Sequence, residues 1–195
     1  MQTEYEATFV DVKKEMIRER LQSVGARLIY PESLQRRVNF YLPEKSKIRE
    51  GWIRVRDEKE SVTMSIKSII DNNSIESQKE LCLRVDDFSK AKDFLEMLGC
   101  QWKSYQETKR ELWIVDYTEV SIDEWPWLEP FVEIEGTSEK EVQKVSERLG
   151  FDWNNALFGA VDIQYQKKYG ISKIRINNET PRFSFEDPCP FLDKK

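Results

Sequence analysis

Two acidic couplets bracket most of this chain, Glu4-Tyr5-Glu6 near its start and Glu133-Ile134-Glu135 inside the run Phe131 to Gly136. In an extended strand successive side chains point to opposite faces, so each couplet sets two carboxylates on one face. Four acids gathered in this way can hold hard divalent cations. Between them lie bases at the same spacing, Arg54-Val55-Arg56 and the Lys67 of Ser65-Ile66-Lys67, which are side chains that grip phosphate oxygens. Acids at the ends and bases between them suggest a metal-dependent polyphosphate site.

The segments that carry these couplets alternate with period two. Candidate strands run over Glu4 to Val10, Arg37 to Leu42, Trp52 to Arg56, Val62 to Ile69, Glu80 to Val85, Tyr105 to Val115, Val120 to Asp123 and Phe131 to Glu135. Turn signals fall at Pro43-Glu44-Lys45, Asp57-Glu58-Lys59 and Asp71-Asn72-Asn73-Ser74. Three amphipathic helices are predicted. One spans Asp11 to Val24 with Met16, Ile17, Leu21 and Val24 inward; one starts near Asp87 or Ser89 with Phe88, Ala91, Leu95 and Leu98 inward. The third opens on Ser138-x-x-Glu141 and packs Val142, Val145 and Leu149. Their stops are Gly25, Gly99 and Gly150.

In the strands one set of alternate positions is apolar, such as Leu81, Leu83 and Val85, and the other is polar, such as Glu80, Cys82 and Arg84. An open sheet with one wet face gives the same pattern, but a solvated face mixes charge signs, whereas here acids sit in the terminal strands and bases in the middle ones. Closing the sheet satisfies both faces. The expected fold is α+β: a closed eight-stranded antiparallel β-barrel with a polar lumen, flanked by about three helices.

The chain has 195 residues, enough for one well-buried domain, and 34% of them are charged. A net charge of -5 argues against a general binder of nucleic acid or anionic membrane, so any anion site must be a local concentration of base. The absence of histidine removes imidazole mechanisms and leaves carboxylates, Lys, Tyr and metal-bound water as proton acceptors. Three cysteines, Cys82, Cys100 and Cys189, form no C-x-x-C pair, which fits a reducing cytoplasm. The first residues lack a signal-peptide pattern and no apolar run is long enough to span a bilayer, so a soluble, unexported protein is expected.

The ordered set of Glu4-Tyr5-Glu6, Phe40-Tyr41, Arg54-Val55-Arg56, Lys67, Lys109-Arg110-Glu111, Ser121-Ile122-Asp123 and Phe131-Val132-Glu133-Ile134-Glu135 resembles the CYTH family of triphosphate tunnel metalloenzymes. That family includes class IV adenylyl cyclases, thiamine triphosphatases and inorganic tripolyphosphatases. The resemblance covers residues 1–169 and leaves 170–195 as an extension of unassigned role, expected to pack on the same domain. It implies an eight-stranded tunnel that binds a triphosphate, with Mg²⁺ or Mn²⁺ held by Glu4, Glu6, Asp123, Glu133 and Glu135, and phosphate held by Arg54, Arg56, Lys67 and Arg110. The implied partner is a small-molecule triphosphate, with no nucleic acid or membrane, in a monomer or homodimer. The implied activity is triphosphate hydrolysis; cyclic AMP formation and non-catalytic binding are the alternatives.

Two positions depart from the family pattern. Thr8 stands where the family's first strand has lysine, and Cys82 where the family has a second glutamate beside Glu80. Thr8 removes one cation from the phosphate site and Cys82 one carboxylate, so binding is expected more firmly than turnover. Trp125-Pro126-Trp127 is read as covering a core edge in preference to stacking a base. Cys82 is expected as a small packed thiol, and Lys173 to Ile176 as a short strand in the tail.

Overall fold

The computed structural model describes residues 1–69, 74–76 and 78–192. The strands are β1 (Gln2–Phe9), β2 (Arg27–Tyr41), β3 (Gly51–Asp57), β4 (Val62–Ile69), β5 (Gln78–Val85), β6 (Trp102–Val115), β7 (Thr118–Glu124), β8 (Phe131–Gly136) and β9 (Arg182–Phe183). The first eight pair in the order β2-β3-β4-β5-β1-β8-β7-β6, and β6 returns to β2, so the antiparallel sheet closes into an eight-stranded barrel. A short parallel contact adds β9 to β6 through Tyr105 and Arg182. The expected turn at Asp71-Asn72-Asn73-Ser74 lies mostly outside the described residues.

Closure is uneven around the barrel. The β2–β6 seam is the longest, running from Arg27 opposite Ile114 to Phe40 opposite Trp102. At the other extreme β1 meets β5 only through Gln2, Thr3 and Glu4. Beyond that point Leu157 takes over the free edge, exchanging two backbone hydrogen bonds with Thr8 at 2.9 Å each. Gly51 allows another close approach: a Cβ there would sit 2.0 Å from the Lys67 carbonyl oxygen, so only glycine lets β3 lie against β4 where Lys67 enters the lumen.

The outer, apolar face of the barrel is covered in three places. Helix α1 (Lys14–Ser23) and α3 (Glu139–Arg148) bury Ile17, Leu21, Val142 and Val145 against Ala7, Trp113, Val120, Ile122, Val132 and Ile134. Helix α2 (Phe88–Met97) buries Ala91 and Leu95 against Val38, Phe40, Ile53 and Val55. Each of these large side chains contributes about 1.5–3 kcal/mol when removed fully from water. The caps follow the sequence: Asp87 accepts from the Lys90 amide, Ser138 from the Glu141 amide, and Gly25, Gly99 and Gly150 follow the helices with positive φ.

Five α-helices, not three, are present among the described residues. Helix α4 (Asp162–Tyr169) and α5 (Lys173–Asn177) lie across one end of the barrel, where Tyr165, Ile176 and Phe183 pack with Trp125, Leu128 and Phe131. The expected strand at Lys173 to Ile176 is therefore helix α5; Ser172 caps it by accepting from the Arg175 amide, and that cap outweighs the period-two look of Lys-Ile-Arg-Ile. Trp125 and Trp127 belong to this cluster, as a core edge requires. Four apolar residues expected to be covered are not. Leu81 and Leu83 are 48% and 52% exposed, because α2 covers β3 and β4 and stops short of β5. Met16 is 48% and Leu98 64% exposed; Leu98 follows the last turn of α2 and leaves its apolar stripe.

Candidate functional site: the barrel lumen

Alternation along every strand turns the polar set inward. The lumen encloses a cavity of about 730 Å³, lined on one side by Glu4, Glu6, Glu119, Glu133 and Glu135 and on the other by Arg37, Arg54, Arg56 and Lys67, with Glu80 and Arg110 between the two arcs. Strand pairing fixes the acidic arc, since Glu6 faces Glu135 across β1–β8 and Glu135 faces Glu119 across β7–β8. The basic arc is fixed in the same way, with Arg37 opposite Arg56 on β2–β3. Like charges directly opposite in a sheet destabilise it, so both arcs are strained arrangements of charge.

Where the arcs meet, ion pairs form. Lys67 Nζ donates to Glu4 Oε2 at 2.9 Å, and Arg54 Nη2 to Glu80 Oε1 at 2.9 Å. Arg110 grips Asp123 with a fork, Nε to Oδ1 at 2.7 Å and Nη2 to Oδ2 at 2.6 Å, and also donates to Glu133. Ser121 Oγ donates to Asp123 Oδ2 at 2.8 Å. Asp123 is fully buried behind Arg110 and does not itself reach the cavity wall.

Charge not neutralised by these pairs shows in the titration of the lumen groups. Water reaches these side chains through the tunnel, but the barrel walls them in, so desolvation is the leading cause throughout. Burial, with Glu133, Glu135 and Glu4 close by, pushes the Glu6 carboxyl well above the usual carboxylate range against the pull of Lys67. Burial also lifts Glu4 to about 7 despite Lys67, and lifts Glu133, beside Asp123, to about 7 despite Arg110. Burial opposes charge on Asp123 and Glu80 too, but Arg110 holds Asp123 below its ordinary value, and Glu4, Lys67 and Arg54 hold Glu80 far down. On the basic side burial and Arg54 bring Arg56 down to about 10, and burial with Arg56, Arg54 and Arg110 presses hardest on Arg37. A guanidinium does not give up its proton in practice. The Arg37 penalty is therefore one that a bound anion can relieve.

Several inward donors have no protein partner among the described residues, including Nε of Arg37, Arg54 and Arg56. Among the described residues Arg37 makes no carboxylate pair; its Nη2 donates to Thr108 Oγ1 at 2.7 Å and its guanidinium lies 4.8 Å from the Trp125 ring centroid. Among the described residues no three acidic or thiol side chains stand together closely enough to hold an ion alone. The donor set still fits a hard cation in kind, because Mg²⁺ takes one or two carboxylates and completes its shell with water and substrate phosphate. Glu6 and Glu135 have no hydrogen bond or ion pair among the described residues, and Glu6 has Glu133, Glu135 and Glu4 beside it against Lys67.

The remaining residues singled out from the sequence lie at the margins. Thr8 is buried, opposite Glu133, and does not line the cavity. Cys82 and Arg84 continue the inward phase of β5 but are exposed and also lie off the cavity wall; Cys82 is thus not the packed thiol expected, since the lumen is open at that end of β5. Sequence reasoning missed Arg37 and Glu119, although each lies in phase with inward residues on its strand, Arg37 with Asn39 and Glu119 with Ser121 and Asp123. It also missed Lys103, Asp162 and Lys173 at the end of the cavity covered by α4 and α5, where no local pattern marks them.

No family model and no curated protein matches the chain. Solved structures do match. A conserved hypothetical protein from Pyrococcus furiosus is 22% identical, with a TM-score of 0.64 over 79% of this chain and 94% of that one. A candidate adenylate cyclase from Vibrio parahaemolyticus gives a TM-score of 0.71 at 8% identity over 85% and 98% of the two chains. A candidate adenylyl cyclase from Hippeastrum, described as revealing a dominant triphosphatase activity, gives 0.50 at 13% identity over 98% and 99%. At such identities the likeness is one of fold. The chain shares the closed-tunnel fold of these proteins and sets an acidic arc against a basic one inside it.

Proposed function

We propose that this chain binds a triphosphate and a divalent cation in its tunnel and hydrolyses the terminal phosphoanhydride. The observation that carries the reading is Arg37, a buried guanidinium with Arg54, Arg56 and Arg110 as neighbours and no ion pair with a carboxylate among the described residues. An anion of several charges relieves such a cluster, and a triphosphate supplies them to Arg37, Arg54, Arg56 and Lys67 together. The fold likeness to proteins named as candidate cyclases, one with triphosphatase activity, supports the same ligand class.

Glu6, Glu133 and Glu135, with Glu4 beside them, would hold Mg²⁺ or Mn²⁺. The cation would neutralise phosphate charge and lower the pKa of a bound water. Asp123 fixes the Arg110 guanidinium, and Arg110 in turn orients Glu133. Glu133, oriented by Arg110, would accept a proton from the water that attacks the terminal phosphorus. The bridging P–O bond then breaks, releasing orthophosphate and leaving a diphosphate on the arginines.

Thr8 favours a second reading, a non-catalytic binder, since no cation stands at that position of β1. Incubation with tripolyphosphate and with ATP, in Mg²⁺ and in Mn²⁺, separates the readings by product. Orthophosphate supports hydrolysis, cyclic AMP with pyrophosphate supports a cyclase, and calorimetric binding without product supports a binder. Absence of binding to either compound overturns all three.

A further inference from the structure

Three of the four bases on the basic arc are answered by carboxylates: Arg54 by Glu80, Lys67 by Glu4 and Arg56 by Glu58. Among the described residues Arg37 is held by neutral groups instead. Its Nη2 donates to Thr108 Oγ1 at 2.7 Å, and its guanidinium carbon lies 4.8 Å from the Trp125 ring centroid. Thr108 stands on β6 in phase with Ser104, Gln106 and Arg110, which line the cavity, and is itself fully buried. Trp125 follows β7 in phase with Ser121 and Asp123 and reaches the cavity wall.

The indole is fixed from behind. Trp125 is 7% exposed and packs with Leu128, Phe131, Tyr165 and Phe183. The turn that follows it is tied twice, Tyr165 Oη donating to the Pro126 carbonyl at 2.7 Å and Trp127 Nε1 to the Asp187 carbonyl at 2.9 Å. Trp125-Pro126-Trp127 thus does more than cover a core edge, because one of its rings is presented to a lumen cation.

A neutral support has a consequence that a carboxylate does not. A ring face and a hydroxyl orient a guanidinium and leave its charge intact, whereas a carboxylate would orient it and cancel the charge offered to a ligand. The empty protein bears the penalty, a buried cation beside Arg54, Arg56 and Arg110 whose Nε has no partner among the described residues. Were Arg37 needed for stability alone, an acid at position 108 would be the more stabilising partner.

We propose that Trp125 and Thr108 are positioning residues that aim the Arg37 guanidinium into the tunnel at full charge, so that triphosphate affinity depends on them through Arg37. The proposal rests on the triphosphate reading above and adds to it two residues that act through another.

Calorimetry with tripolyphosphate and Mg²⁺, and thermal melts without ligand, test it on the whole chain. Trp125→Leu should weaken binding roughly tenfold, the order of a desolvated cation–π contact. Trp125→Phe, which keeps a ring face, should retain most of the affinity. In an Arg37→Gln chain, Trp125→Leu should bring no further loss, because nothing is left for the ring to position. Thr108→Asp should move the two readouts in opposite directions: its carboxylate pairs with Arg37, so the ligand-free protein melts higher while tripolyphosphate binds more weakly. Parental affinity in both Trp125→Leu and Thr108→Asp overturns the proposal. An equal loss from Trp125→Leu with and without Arg37 also overturns it, since the ring would then serve the fold or touch the ligand directly. A Thr108→Asp protein that melts lower and binds more weakly overturns the role given to Thr108. Failure of tripolyphosphate to bind the wild type, or parental affinity in Arg37→Gln, would instead overturn the triphosphate reading itself.

Discussion

Thr8 stands directly across the β1–β8 pairing from Glu133. Thr8 is thus beside the lumen carboxyl that burial holds near 7, and is not on the cavity wall. In Thr8→Lys the new ammonium would lie against Glu133, and an opposite charge at that range lowers a carboxyl pKa by roughly 1–3 pH units. Cation-dependent binding of tripolyphosphate should therefore persist to lower pH in the variant. If the missing charge limits turnover, kcat/KM should also rise, about tenfold for ~1.4 kcal/mol. A folded Thr8→Lys protein with an unchanged pH profile would show that the ammonium does not reach Glu133.

Glu6 faces Glu135 and has Glu133 and Glu4 as further neighbours, so its charge destabilises the empty barrel. Glu6→Gln should raise the melting temperature of the ligand-free protein at pH 8, by roughly 2–4 °C for each kcal/mol relieved in a chain of this size, while weakening the Mg²⁺ dependence of triphosphate binding. Such opposition between stability and function is usual for ligand sites. Thermal melts in the presence of EDTA measure the first effect and calorimetry the second. A lower melting temperature would mean that Glu6 stabilises the empty lumen.

Arg56 has an Nε with no partner among the described residues and pairs through Nη2 with Glu58. Lysine keeps the charge at this position but loses the planar fork. Arg56→Lys should weaken triphosphate binding by about tenfold or more, roughly 1.5–3 kcal/mol for a charge-assisted bond. Parental affinity in this variant would put Arg56 outside the phosphate clamp.

Glu4 and Glu133 titrate at about 4.5 in the unfolded chain and near 7 in the folded barrel. Between those values the folded chain keeps protons that the unfolded chain releases. The stability contributed by the neutral carboxyls is complete below 4.5 and lost as pH rises through 7. Glu80 and Asp123, held below their ordinary values, act in the opposite sense and lose their contribution only at lower pH. The melting temperature of the ligand-free protein should fall between about pH 5 and pH 7.5, and Mg²⁺ with tripolyphosphate should flatten that slope. A melting temperature that climbs across the same interval would contradict the assignment of these two carboxyls.

The barrel itself was legible because its signal is local and repeated. Period two in eight strands, Asp87 and Ser138 as caps, and acids and bases segregated by strand all point to one closed sheet. Alternation assigns a residue to a face but does not say whether anything covers that face, which is why Leu81 and Leu83 were misjudged. Arg37 and Glu119 needed only a consistent reading of phase. Asp162 could not be found that way, since it enters the cavity from a short helix whose position depends on Tyr165 Oη donating to the Pro126 carbonyl at 2.7 Å, far away in sequence.

The thin β1–β5 contact has a consequence for the chain as it is made. β1 meets β5 through three residues, and its long partner β8 follows only after the other barrel strands. At roughly 5–20 residues per second, β1 waits on the order of ten seconds for β8 to be synthesised, with most of both edges open. A strand edge left open in that way templates pairing between nascent chains. Glu4 and Glu6 oppose it, because two copies of β1 pairing with each other would bring carboxylates face to face. The acids that strain the finished lumen keep the unfinished one from sticking to its neighbours.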